Sequence, residues 1–500
     1  MLPIYPSDII RQWDDYTLKS KSIASIELME RAAMSCVIWI TKNISTYSPV
    51  SIICGNGNNG GDGLAIARLL LHSNYSIKVF INESESKRSD DNLTNLEKLR
   101  SYGYVEIIPI KPNGKIYFQK DTVLIDCIFG TGLDRPVEGF WKNVITSINE
   151  SECRVISIDC PSGLFSEPSV DKAPTSKDTI IKATDTLTFQ APKLSMLIPG
   201  WGDFCGHLEI IDIGLSSEFI NEHPTKNFFI CFHSIKERFK KRKKFSNKGT
   251  YGHALIIAGD VGKSGAAILC SKACFKSGAG LVTVFSNFDS SLIINIAIPE
   301  VMTFQKDPKT LDISKFSALG IGPGMGMDTE QVELLKRMLS ETKAPVLLDA
   351  DALTIISRDL ENFQLPVNTI LTPHPKEFDR LVGVSANAYE RLKKAQNFAK
   401  EKKCILVLKG AYTAICCPDG KVFFNSTGNA GMATAGAGDV LSGIITAFLT
   451  QGYSPIDSAI LGVFIHGEAG DAAAKHKSLT GLIASDIIDN LDSVFKRLEA

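Results

Sequence analysis

The sequence from residue 50 to residue 63, VSIICGNGNNGGDG, decides the predicted fold of the first half of the chain. The apolar run Val50–Cys54 predicts a buried strand, and a segment with helical spacing begins near Leu64. Between them lie five glycines in nine residues, which let backbone N–H groups approach an anionic ligand at a helix N-terminus. Strand, glycine turn and helix together predict an α/β ligand-binding unit.

The same loop places Gly55, Gly57 and Gly60 at the G-x-G-x-x-G spacing of dinucleotide-binding turns, with Glu83 about where a ribose-binding acid is expected. This spacing alone is a weak indication, because an ordinary strand-to-helix turn can also satisfy it. The adjacent asparagines 58 and 59 and Asp62 supply more oxygen atoms than a pyrophosphate turn requires. The loop therefore favours a site that also holds a polar ring or a hard cation.

Composition indicates a globular protein of a reducing compartment. The 500 residues are enough for two to four domains, and an apolar content of 44% excludes extensive disorder. With 54 basic and 55 acidic residues, the net charge of -1 provides no global field for nucleic acid or an anionic membrane. The N-terminus does not resemble a secretory signal, and residues 440–456 are typical of a packed helix and its turn rather than a membrane span. Twelve scattered cysteines without a CxxC pair are expected to be free thiols in the cytoplasm.

Apolar, β-rich runs alternate with helical segments in both halves of the chain. These runs lie at residues 50–54, 77–81, 123–125, 155–158, 208–213, 254–258, 281–285, 318–321, 346–348, 369–371 and 405–408. Strands that are apolar throughout and separated by helices predict parallel sheets covered on both faces. The pattern restarts near residue 222, which predicts an α/β protein with domains at 1–222 and 223–500. A hairpin around Gly420 and a helix from Asp439 complete the prediction.

Two further strands of the first half end in polar loops. One strand ends at Asp126 and leads into residues 129–136, FGTGLDRP, and the other ends at Asp159 and leads into residues 160–163, CPSG. Ligands of open α/β sheets bind beyond the carboxyl ends of the strands, so all three loops are expected to converge on one crevice. A single aspartate after a strand is more often a helix cap. Three such loops at one sheet edge favour a binding site instead.

The helix SIELMERA at residues 25–32, the NNGGDG loop, the FGTGL-RP loop and the IDCPSG turn together resemble the YjeF N-terminal family, the NAD(P)HX epimerases. The resemblance covers about residues 8–220 and implies a Rossmann-like three-layer domain that binds the hydrated nicotinamide dinucleotide. The substrate contacts that it implies are Asn58, Asn59, Gly60, Gly61, Asp62, Gly130, Thr131, Gly132, Leu133, Asp134, Arg135, Pro136 and Asp159. It also implies a potassium ion held by Asn59, Asp126 and Ser162, whose oxygens suit a hard cation.

A second glycine-rich turn, NAGMATAGAGDVLSG at residues 429–443, precedes an apolar helix. Its N–H groups can stabilise a transferring phosphoryl group, and Asp439 can accept the proton of an attacking hydroxyl. The alternative is that Asp439 only favours the start of the helix through the helix dipole. The GKS at residues 262–264 does not make a P-loop, because Ile257 stands where that motif requires glycine.

Five segments in order resemble the YjeF C-terminal family, the ribokinase-like NAD(P)HX dehydratases, over about residues 230–495. The segments are GPGMG at 322–326, LDADAL at 348–353, LTPHPKEF at 371–378, LKGAYT at 408–413 and the turn at 429–443. The resemblance implies substrate contacts by Ala266, Gly324, His374 and Asp439, and nucleotide contacts by Lys409, Gly410, Ala411, Tyr412, Thr413 and Gly438. Lys376 departs from the glycine expected after the His-Pro pair.

By these resemblances the chain is expected to be a bifunctional nicotinamide-nucleotide repair enzyme. Its first domain would interconvert the R and S epimers of hydrated NADH and NADPH, with Asp159 as a candidate acid or base. Its second domain would phosphorylate the S epimer using ADP and Mg²⁺, with Asp439 as the base, and loss of phosphate would restore the reduced cofactor and leave AMP. No nucleic-acid or membrane partner is expected, and a homo-oligomer rests on family analogy alone.

Two alternatives from other classes remain. The second half could be a vitamin or sugar kinase of the same fold, and the first half could be a non-catalytic dinucleotide-binding module. A basic run, Lys236–Lys248, holds eight lysines and arginines and could in principle bind nucleic acid. Its scarce aromatic residues and the balanced charge of the chain favour a solvated linker.

Overall fold

The computed structural model describes residues 1–83, 87–171, 173–175, 177–305 and 308–500. Contacts divide the chain into two compact units, Pro3–Thr225 and Lys226–Ala500, and Met1–Leu2 belongs to the second of them. The first residues are assigned in this way because the short strand β1 (Leu2–Pro3) lies at one edge of the sheet of the second unit.

In the described part of the first unit, a seven-stranded sheet is parallel throughout. Its strands are β2 (Val50–Cys54), β3 (Ile77–Ile81), β4 (Glu106–Pro109), β5 (Val123–Cys127), β6 (Arg154–Ile158), β7 (Asp185–Phe189) and β8 (His207–Ile211). They lie in the order β4-β3-β2-β5-β6-β7-β8. The sequence pattern missed β4, a half-exposed edge strand, and β7, whose buried threonines interrupt the apolar run.

Helices cover both faces of this sheet. They are α1 (Ser7–Lys21), α2 (Ser25–Asn43), α3 (Asn58–Leu71), α4 (Asp90–Arg100), α5 (Gly139–Asn149) and α6 (Glu218–Glu222). Buried side chains of α1 to α4 and α6 form one apolar cluster with one face of the sheet. Trp141 and Val144 of α5 belong to a separate cluster on the other face. The predicted three-layer arrangement is thus confirmed.

The second unit is built around a mixed sheet of eleven strands within the described residues. Besides β1 it contains β9 (Asn227–Phe229), β10 (His253–Ile257), β11 (Leu281–Phe285), β12 (Met302–Phe304), β13 (Ala318–Ile321), β14 (Val346–Leu348), β15 (Ile370–Leu371), β16 (Ile405–Leu408), β17 (Ala414–Cys416) and β18 (Val422–Phe424). Their order is β1-β9-β18-β17-β16-β15-β14-β13-β10-β11-β12. β17 runs antiparallel to both β16 and β18, which confirms the hairpin predicted around Gly420.

Ten helices of the described residues accompany this sheet. They are α7 (Phe232–Arg238), α8 (Ser264–Lys276), α9 (Phe288–Ala297), α10 (Thr329–Glu341), α11 (Ala350–Arg358), α12 (Pro375–Val382), α13 (Ala388–Glu401), α14 (Ala437–Thr450), α15 (Pro455–Ala474) and α16 (Ala484–Glu499). α14 is apolar on most of its surface because it is buried against α8, α15 and the sheet. In the described parts of the chain, no helix has the length and apolar character needed to cross a membrane.

The basic run Lys236–Lys248 is exposed, as expected, but it is anchored to the second unit rather than free. Arg238 pairs with Asp457 at 3.2 Å, and the Lys240 ammonium lies 4.5 Å from the centre of the Tyr453 ring. Arg242 lies over the Tyr251 ring and donates to the carbonyl of Gly278 at 2.7 Å. Cation–π and backbone contacts that sequence charge alone does not reveal hold the run in place.

Candidate active sites

The carboxyl ends of β2, β5 and β6 open into a cavity of about 960 Å³. The strand order reverses between β2 and β5, where doubly wound sheets bind their ligands. Of the residues predicted to contact the hydrated dinucleotide, the cavity is lined by Asn58, Asn59, Asp62, Gly130, Thr131, Gly132, Leu133, Asp134, Arg135, Pro136 and Asp159. The structure therefore brings the three predicted loops together around one space.

Gly60 and Gly61, the other two residues predicted to contact this substrate, are not among the residues that line the cavity. A Cβ on Gly60 would lie 1.9 Å from the carbonyl oxygen of Gly55, and one on Gly61 would lie 2.9 Å from Met29 Sδ. These glycines allow α3 to pack closely against its neighbours. Glu83 also lies outside the cavity lining and pairs with Arg100 at 3.2 Å.

The predicted potassium ligands lie around the turn that follows β5. Asp126 is fully buried, and its carboxylate accepts hydrogen bonds from Ser157 Oγ at 2.8 Å and from Ser162 Oγ at 2.6 Å. Ser162 Oγ also accepts a hydrogen bond from the N–H of Phe129 at 2.9 Å. Asn59 lies beside Gly130, the residue that follows Phe129, because a Cβ built on Gly130 would be 3.5 Å from Asn59 Cβ.

The Asn59 side chain has the properties of a cation ligand. Its side chain is 9% exposed, and among the described residues neither atom of its amide has a hydrogen-bond partner. A buried amide left without a partner is costly, so a bound polar or cationic group would satisfy it. The four donors that bind Asp126 are Ser157 Oγ, Ser162 Oγ, Ser162 N–H and Ile128 N–H.

A buried lysine holds Asp159 at the edge of the cavity. Lys193 is 1% exposed, and its Nζ donates to Asp159 Oδ1 at 2.5 Å and to Thr188 Oγ1 at 2.8 Å. Asp159 has φ of 64°, in the left-handed region that non-glycine residues rarely adopt, and such conformations cluster at functional sites. Its second oxygen, Oδ2, lies toward Gly130, where a Cβ would approach it to 3.3 Å.

Two further carboxyl groups, those of Asp14 and Asp62, interact with the charge of Asp159. Burial and the charge of Asp159 raise the pKa of Asp14 to about 7. Burial also raises the pKa of Asp62 well above its usual range, with the charges of Asp159 and Asp14 adding to the effect. Carboxyl groups that stay protonated near neutral pH can donate protons to a bound substrate.

The second site lies where the sheet order of the second unit reverses, between β10 and β13. The loops that follow these two strands contact each other, because the N–H of Gly259 donates to the carbonyl of Pro323 at 2.9 Å. The backbone at Gly324 has φ of 59°, and a Cβ there would lie 3.2 Å from Ala266 Cβ. The predicted substrate residues Ala266 and Gly324 are therefore neighbours at the start of α8.

A buried network connects three strand ends of this unit. Asp349 follows β14 and is 1% exposed, and its Oδ1 accepts from Lys409 Nζ at 2.9 Å while its Oδ2 accepts from Ser442 Oγ at 2.6 Å. Lys409 Nζ also lies 3.9 Å from Glu377 Oε2. Burial alone would lower the pKa of the Lys409 ammonium, but the charges of Asp349 and Glu377 hold it above its ordinary value. A permanently charged lysine thus lies beside the glycine turn, since a Cβ on Gly438 would be 3.4 Å from its Nζ.

His374 caps α12 and is held by its own turn. Its Nδ1 accepts from the N–H groups of Lys376 and Glu377, and Glu377 Oε2 accepts from the N–H of His374 at 2.8 Å. Pro375 occupies the first helical position, where its missing N–H costs nothing. Lys376 lies in the first turn of the helix with an ordinary backbone, so the expected glycine is not needed there.

Residues 410–413, predicted to contact the nucleotide, form the turn between β16 and β17. Thr413 Oγ1 donates to the carbonyl of Gly410 at 2.9 Å, and Tyr412 has φ of 50°. The N–H of Lys409 donates to the carbonyl of Pro373 at 2.9 Å. The turn is therefore beside the His374 loop, with Gly410 and Ala411 exposed.

Asp439 stands in the first turn of α14, which begins two residues earlier than predicted because Gly436 adopts φ of 86° as its cap. No hydrogen bond or ion pair holds the Asp439 carboxylate within the described residues. Burial and the charge of Asp349 raise the pKa of Asp439 to about 6. His466, which the sequence analysis did not single out, has a buried Nε2 without a hydrogen-bond partner in the described chain, and burial lowers its pKa to about 4.

Known proteins match both halves of the chain. Residues 25–195 match the model of the YjeF-related protein N-terminus, and residues 254–493 match the model described as NAD(P)H-hydrate dehydratase. The bifunctional NAD(P)H-hydrate repair enzyme Nnr of Moorella thermoacetica is 34% identical over 98% of this chain and 96% of its own length. The protein of the same name from Escherichia coli is 31% identical over 98% of this chain and 93% of its length. The chain belongs to the family of bifunctional NAD(P)H-hydrate repair enzymes.

Solved structures support the fold of the second unit. The ADP/ATP-dependent NAD(P)H-hydrate dehydratase of Bacillus subtilis, co-crystallised with ATP and Mg²⁺, is 31% identical and superimposes with a TM-score of 0.50. The match covers 54% of this chain and 99% of that one. A ribokinase-like superfamily protein of Enterococcus faecalis, 27% identical, gives a TM-score of 0.51 over 56% of this chain and 99% of its own. The predicted ribokinase-like fold is confirmed.

Membership in this repair-enzyme family confirms the resemblance drawn from the sequence motifs in both halves. It leaves the alternative of a vitamin or sugar kinase fused to a non-catalytic module without support, because full-length relatives match both halves together. Sequence reasoning did not select five side chains that the structure places in or beside the two sites: Asp14, Lys193, Asp349, Glu377 and His466.

Proposed function

We propose that the chain repairs hydrated NADH and NADPH in two steps carried out by separate sites. The first unit epimerises the R and S forms, and the second dehydrates the S form with an adenine nucleotide. One observation carries the proposal most directly. Each unit places at the carboxyl edge of its sheet a carboxyl group with a raised pKa and, among the described residues, no hydrogen bond or ion pair: Asp14 in the first and Asp439 in the second. We assign epimerisation to residues 1–222 and dehydration to residues 223–500.

In the first site, the loop residues that line the cavity bind the dinucleotide, and Asp159 exchanges a proton with the hydrated ring. Lys193 keeps the Asp159 carboxylate in one orientation through its contact with Oδ1. Arg135 and the glycines of the 129–136 loop offer a cation and free backbone to the phosphates of the substrate. Phe129 and Trp141 contribute apolar and aromatic surface to the same cavity.

We propose that a potassium ion binds beside Asn59, Asp126 and Ser162. The support is the donor set: a buried amide without a partner among the described residues, a carboxylate and a hydroxyl, all of which offer hard oxygen ligands. A bound ion supplies a fixed positive charge that helps to place the dinucleotide. Asp126 and Ser162 also bind each other, which fixes the turn that carries Phe129 and Gly130.

Asn59→Ala is expected to weaken potassium activation of epimerisation by about tenfold or more, the usual scale for a change beside a metal site. Asn59 is a better position than Asp126, because its amide has no hydrogen-bond partner in the described part of the chain, whereas removing Asp126 would leave four donors unpaired. The measurements are the epimerisation rate and the Tm against potassium concentration, with sodium as the control. If potassium raises the Tm of both proteins equally, Asn59 is not a ligand.

In the second site, we propose that Ala266, Gly324, His374 and Asp439 contact the hydrated ring, while residues 409–413 and Gly438 contact the nucleotide. Asp439 removes the proton of the C6 hydroxyl, whose oxygen attacks the transferred phosphoryl group. The N–H groups at the start of α14 and the Lys409 ammonium face the charge that develops on that group. Loss of the phosphate from C6, together with a proton from C5, then restores the dihydropyridine ring. We propose ADP as the donor, giving AMP and phosphate.

We propose that Mg²⁺ enters with the nucleotide and neutralises its phosphate charge. The protein supplies few free ligands for Mg²⁺ at this site, because its two nearby aspartates already accept hydrogen bonds. Asp349 accepts from Lys409 and Ser442, and Asp351 accepts from Lys263 and the N–H of Gly326. Among the described residues there is no cluster of three acidic, histidine or cysteine side chains that could hold a metal ion. Mg²⁺ commonly relies on phosphate and water ligands in this way.

The epimerase assignment is tested by supplying pure R epimer without nucleotide and resolving the epimers by chromatography. Conversion to a mixture of R and S is expected, at a rate that depends on protein concentration. An unchanged R epimer would remove the epimerase assignment and favour a binding module. Purified S epimer with ADP or ATP, compared in parallel, identifies the donor and tests the second unit independently.

Location and assembly complete the proposal. All twelve cysteines are free thiols and most are buried, which supports a reducing, cytoplasmic environment. The ligands we propose are the hydrated dinucleotides and ADP, without a nucleic-acid or membrane partner. A homo-oligomer stays a prediction.

A further inference from the structure

Helix α1 brings two charged side chains, Arg11 and Asp14, into the epimerase cavity. This helix precedes residues 25–195, the part of the chain matched by the N-terminal family model. Its position is fixed by the neighbouring residue Trp13, which is 2% exposed, donates from Nε1 to the carbonyl of Ser216 at 2.7 Å and stacks on Phe219. Thr17 Oγ1 accepts from the N–H of Ser216 at 3.0 Å. The backbone that carries Asp14 is therefore held in place.

The usual structural reasons for a partly buried aspartate in a helix do not apply to Asp14. It lies in the middle of α1 rather than in the first turn, so the helix dipole does not favour it. It is partly buried, and its carboxylate has no hydrogen bond or ion pair in the described chain. Burying a carboxyl group without a partner costs free energy. The raised pKa of Asp14, about 7, records that cost, which a role in proton transfer would account for.

Asp159 has the complementary environment. Its Oδ1 accepts from Lys193 Nζ at 2.5 Å and from the N–H of Phe189 at 3.3 Å, so two donors hold this carboxylate in one orientation. Its Oδ2 remains toward the cavity beside Gly130. One cavity thus holds a carboxyl group that favours its protonated form and a carboxylate that is paired with a cation.

We propose that Asp14 is a second catalytic residue of the epimerisation, acting on the face of the hydrated ring opposite to the face served by Asp159. This inference rests on the proposed epimerase function. Inversion at C6 requires the hydroxyl to leave from one face and to be restored on the other. Two proton-transfer groups that enter one cavity from different elements, α1 and the end of β6, would meet that requirement.

The step balances with water as the only co-reactant. The N1 lone pair forms a C6–N1 double bond as the C6–O bond breaks, and the proton of Asp14 passes to the leaving hydroxyl, which departs as water. A second water adds its oxygen to C6 from the Asp159 side, its proton passes to Asp159, and the electron pair returns to N1. The product is the other epimer, and exchange of protons with solvent resets the two carboxyl groups. The reverse reaction uses the same groups in exchanged roles.

The test compares Asp14→Asn and Asp14→Glu with Asp8→Asn, a matched control at an exposed position in the first turn of the same helix. We expect Asp14→Asn to lower the kcat of epimerisation by about 100-fold, the lower end of the range for acid–base groups, with KM changed by less than about threefold. Asp14→Glu is expected to restore part of kcat, and Asp8→Asn to leave it unchanged. Dehydration of the S epimer, measured on the same samples, reports the amount of active protein, and the Tm of the first unit reports whether that unit is folded in each variant.

Two signatures separate catalysis from a structural role. During epimerisation in H₂¹⁸O, each inversion by the wild-type protein should place one ¹⁸O atom in the C6 hydroxyl. In the direction in which Asp14 acts as the acid, the kcat/KM of epimerisation should fall above about pH 7, where Asp14 loses its proton, and this fall should be absent in Asp14→Asn. Asp14→Asn leaves all other charged groups around Asp14 unchanged. On its own helix and around the cavity, these groups are Arg11, Asp15, Asp62, Asp134, Arg135, Glu138, Asp159 and Lys193.

An Asp14→Asn protein that epimerises within threefold of an active wild type would overturn this inference and leave the proposed function intact. Absence of ¹⁸O from the inverted product would overturn the step as written. A wild-type protein that does not interconvert the epimers would overturn the proposed function and this inference together.

Discussion

Asp439→Asn is expected to lower the rate of dehydration by about 10²- to 10⁴-fold, the range for loss of a positioned general base, and to leave epimerisation unchanged. Asparagine keeps the size and the helix position of Asp439, so the fold of α14 should be preserved. The amide cannot accept the proton of the C6 hydroxyl, whereas the glycine turn and Lys409 still bind the nucleotide. The measurement is recovery of reduced-nicotinamide absorbance from the S epimer with ADP and Mg²⁺.

The pH dependence follows from the same group. Because burial and Asp349 raise the pKa of Asp439 to about 6, the free enzyme holds the basic form only above that pH. The kcat/KM of dehydration should therefore rise with pH up to about 6 and then level off, and this limb should be absent from the residual activity of Asp439→Asn. If Asp439→Asn retains more than a tenth of wild-type dehydration activity, Asp439 is not the general base and only stabilises the start of α14.

Lys193→Met is expected to have the largest combined effect on stability and epimerisation. It removes the cation of a pair in which Lys193 is 1% exposed and leaves the Asp159 carboxylate buried without it. Breaking a buried pair from one side costs about 3 to 5 kcal/mol in the free energy of unfolding. The kcat of epimerisation should fall, because the Asp159 carboxylate has lost the contact that orients it.

The double variant Lys193→Met with Asp159→Asn separates these effects. Removing both charges should recover most of the free energy of unfolding, since no uncompensated charge remains buried, while epimerisation stays impaired. Chemical denaturation measures the first effect and the epimer assay measures the second, with dehydration as the internal control. Recovery of epimerisation in the double variant would show that the pair has no role beyond stability.

The sequence predicted the parts of this fold that follow from simple patterns. Apolar runs identified most central strands, and the polar loops after β2, β5 and β6 were expected at one sheet edge, where the structure places them around one cavity. The edge strand β4 and the threonine-containing β7 were missed, because their apolar pattern is broken by exposure in one case and by buried hydroxyls in the other.

The missed site residues lack a local signal. Lysine is mostly exposed in proteins, and nothing in the sequence around Lys193 indicates that it is buried against Asp159. Asp14 reaches the cavity only because α1 is tied to Ser216 and Phe219, about 200 residues away in sequence. Pairings across such separations are set by packing, so they emerge only when the chain is folded.

The most direct test of the account supplies the purified protein with an equilibrated mixture of R and S hydrated NADH, Mg²⁺ and ADP, and follows the absorbance of the reduced nicotinamide ring. Two active sites in one chain predict recovery of the whole mixture, in a fast phase from the S epimer and a slower phase from the R epimer at low potassium. Recovery that stops at the S fraction would contradict the epimerase assignment. No recovery with either ADP or ATP would contradict the account as a whole.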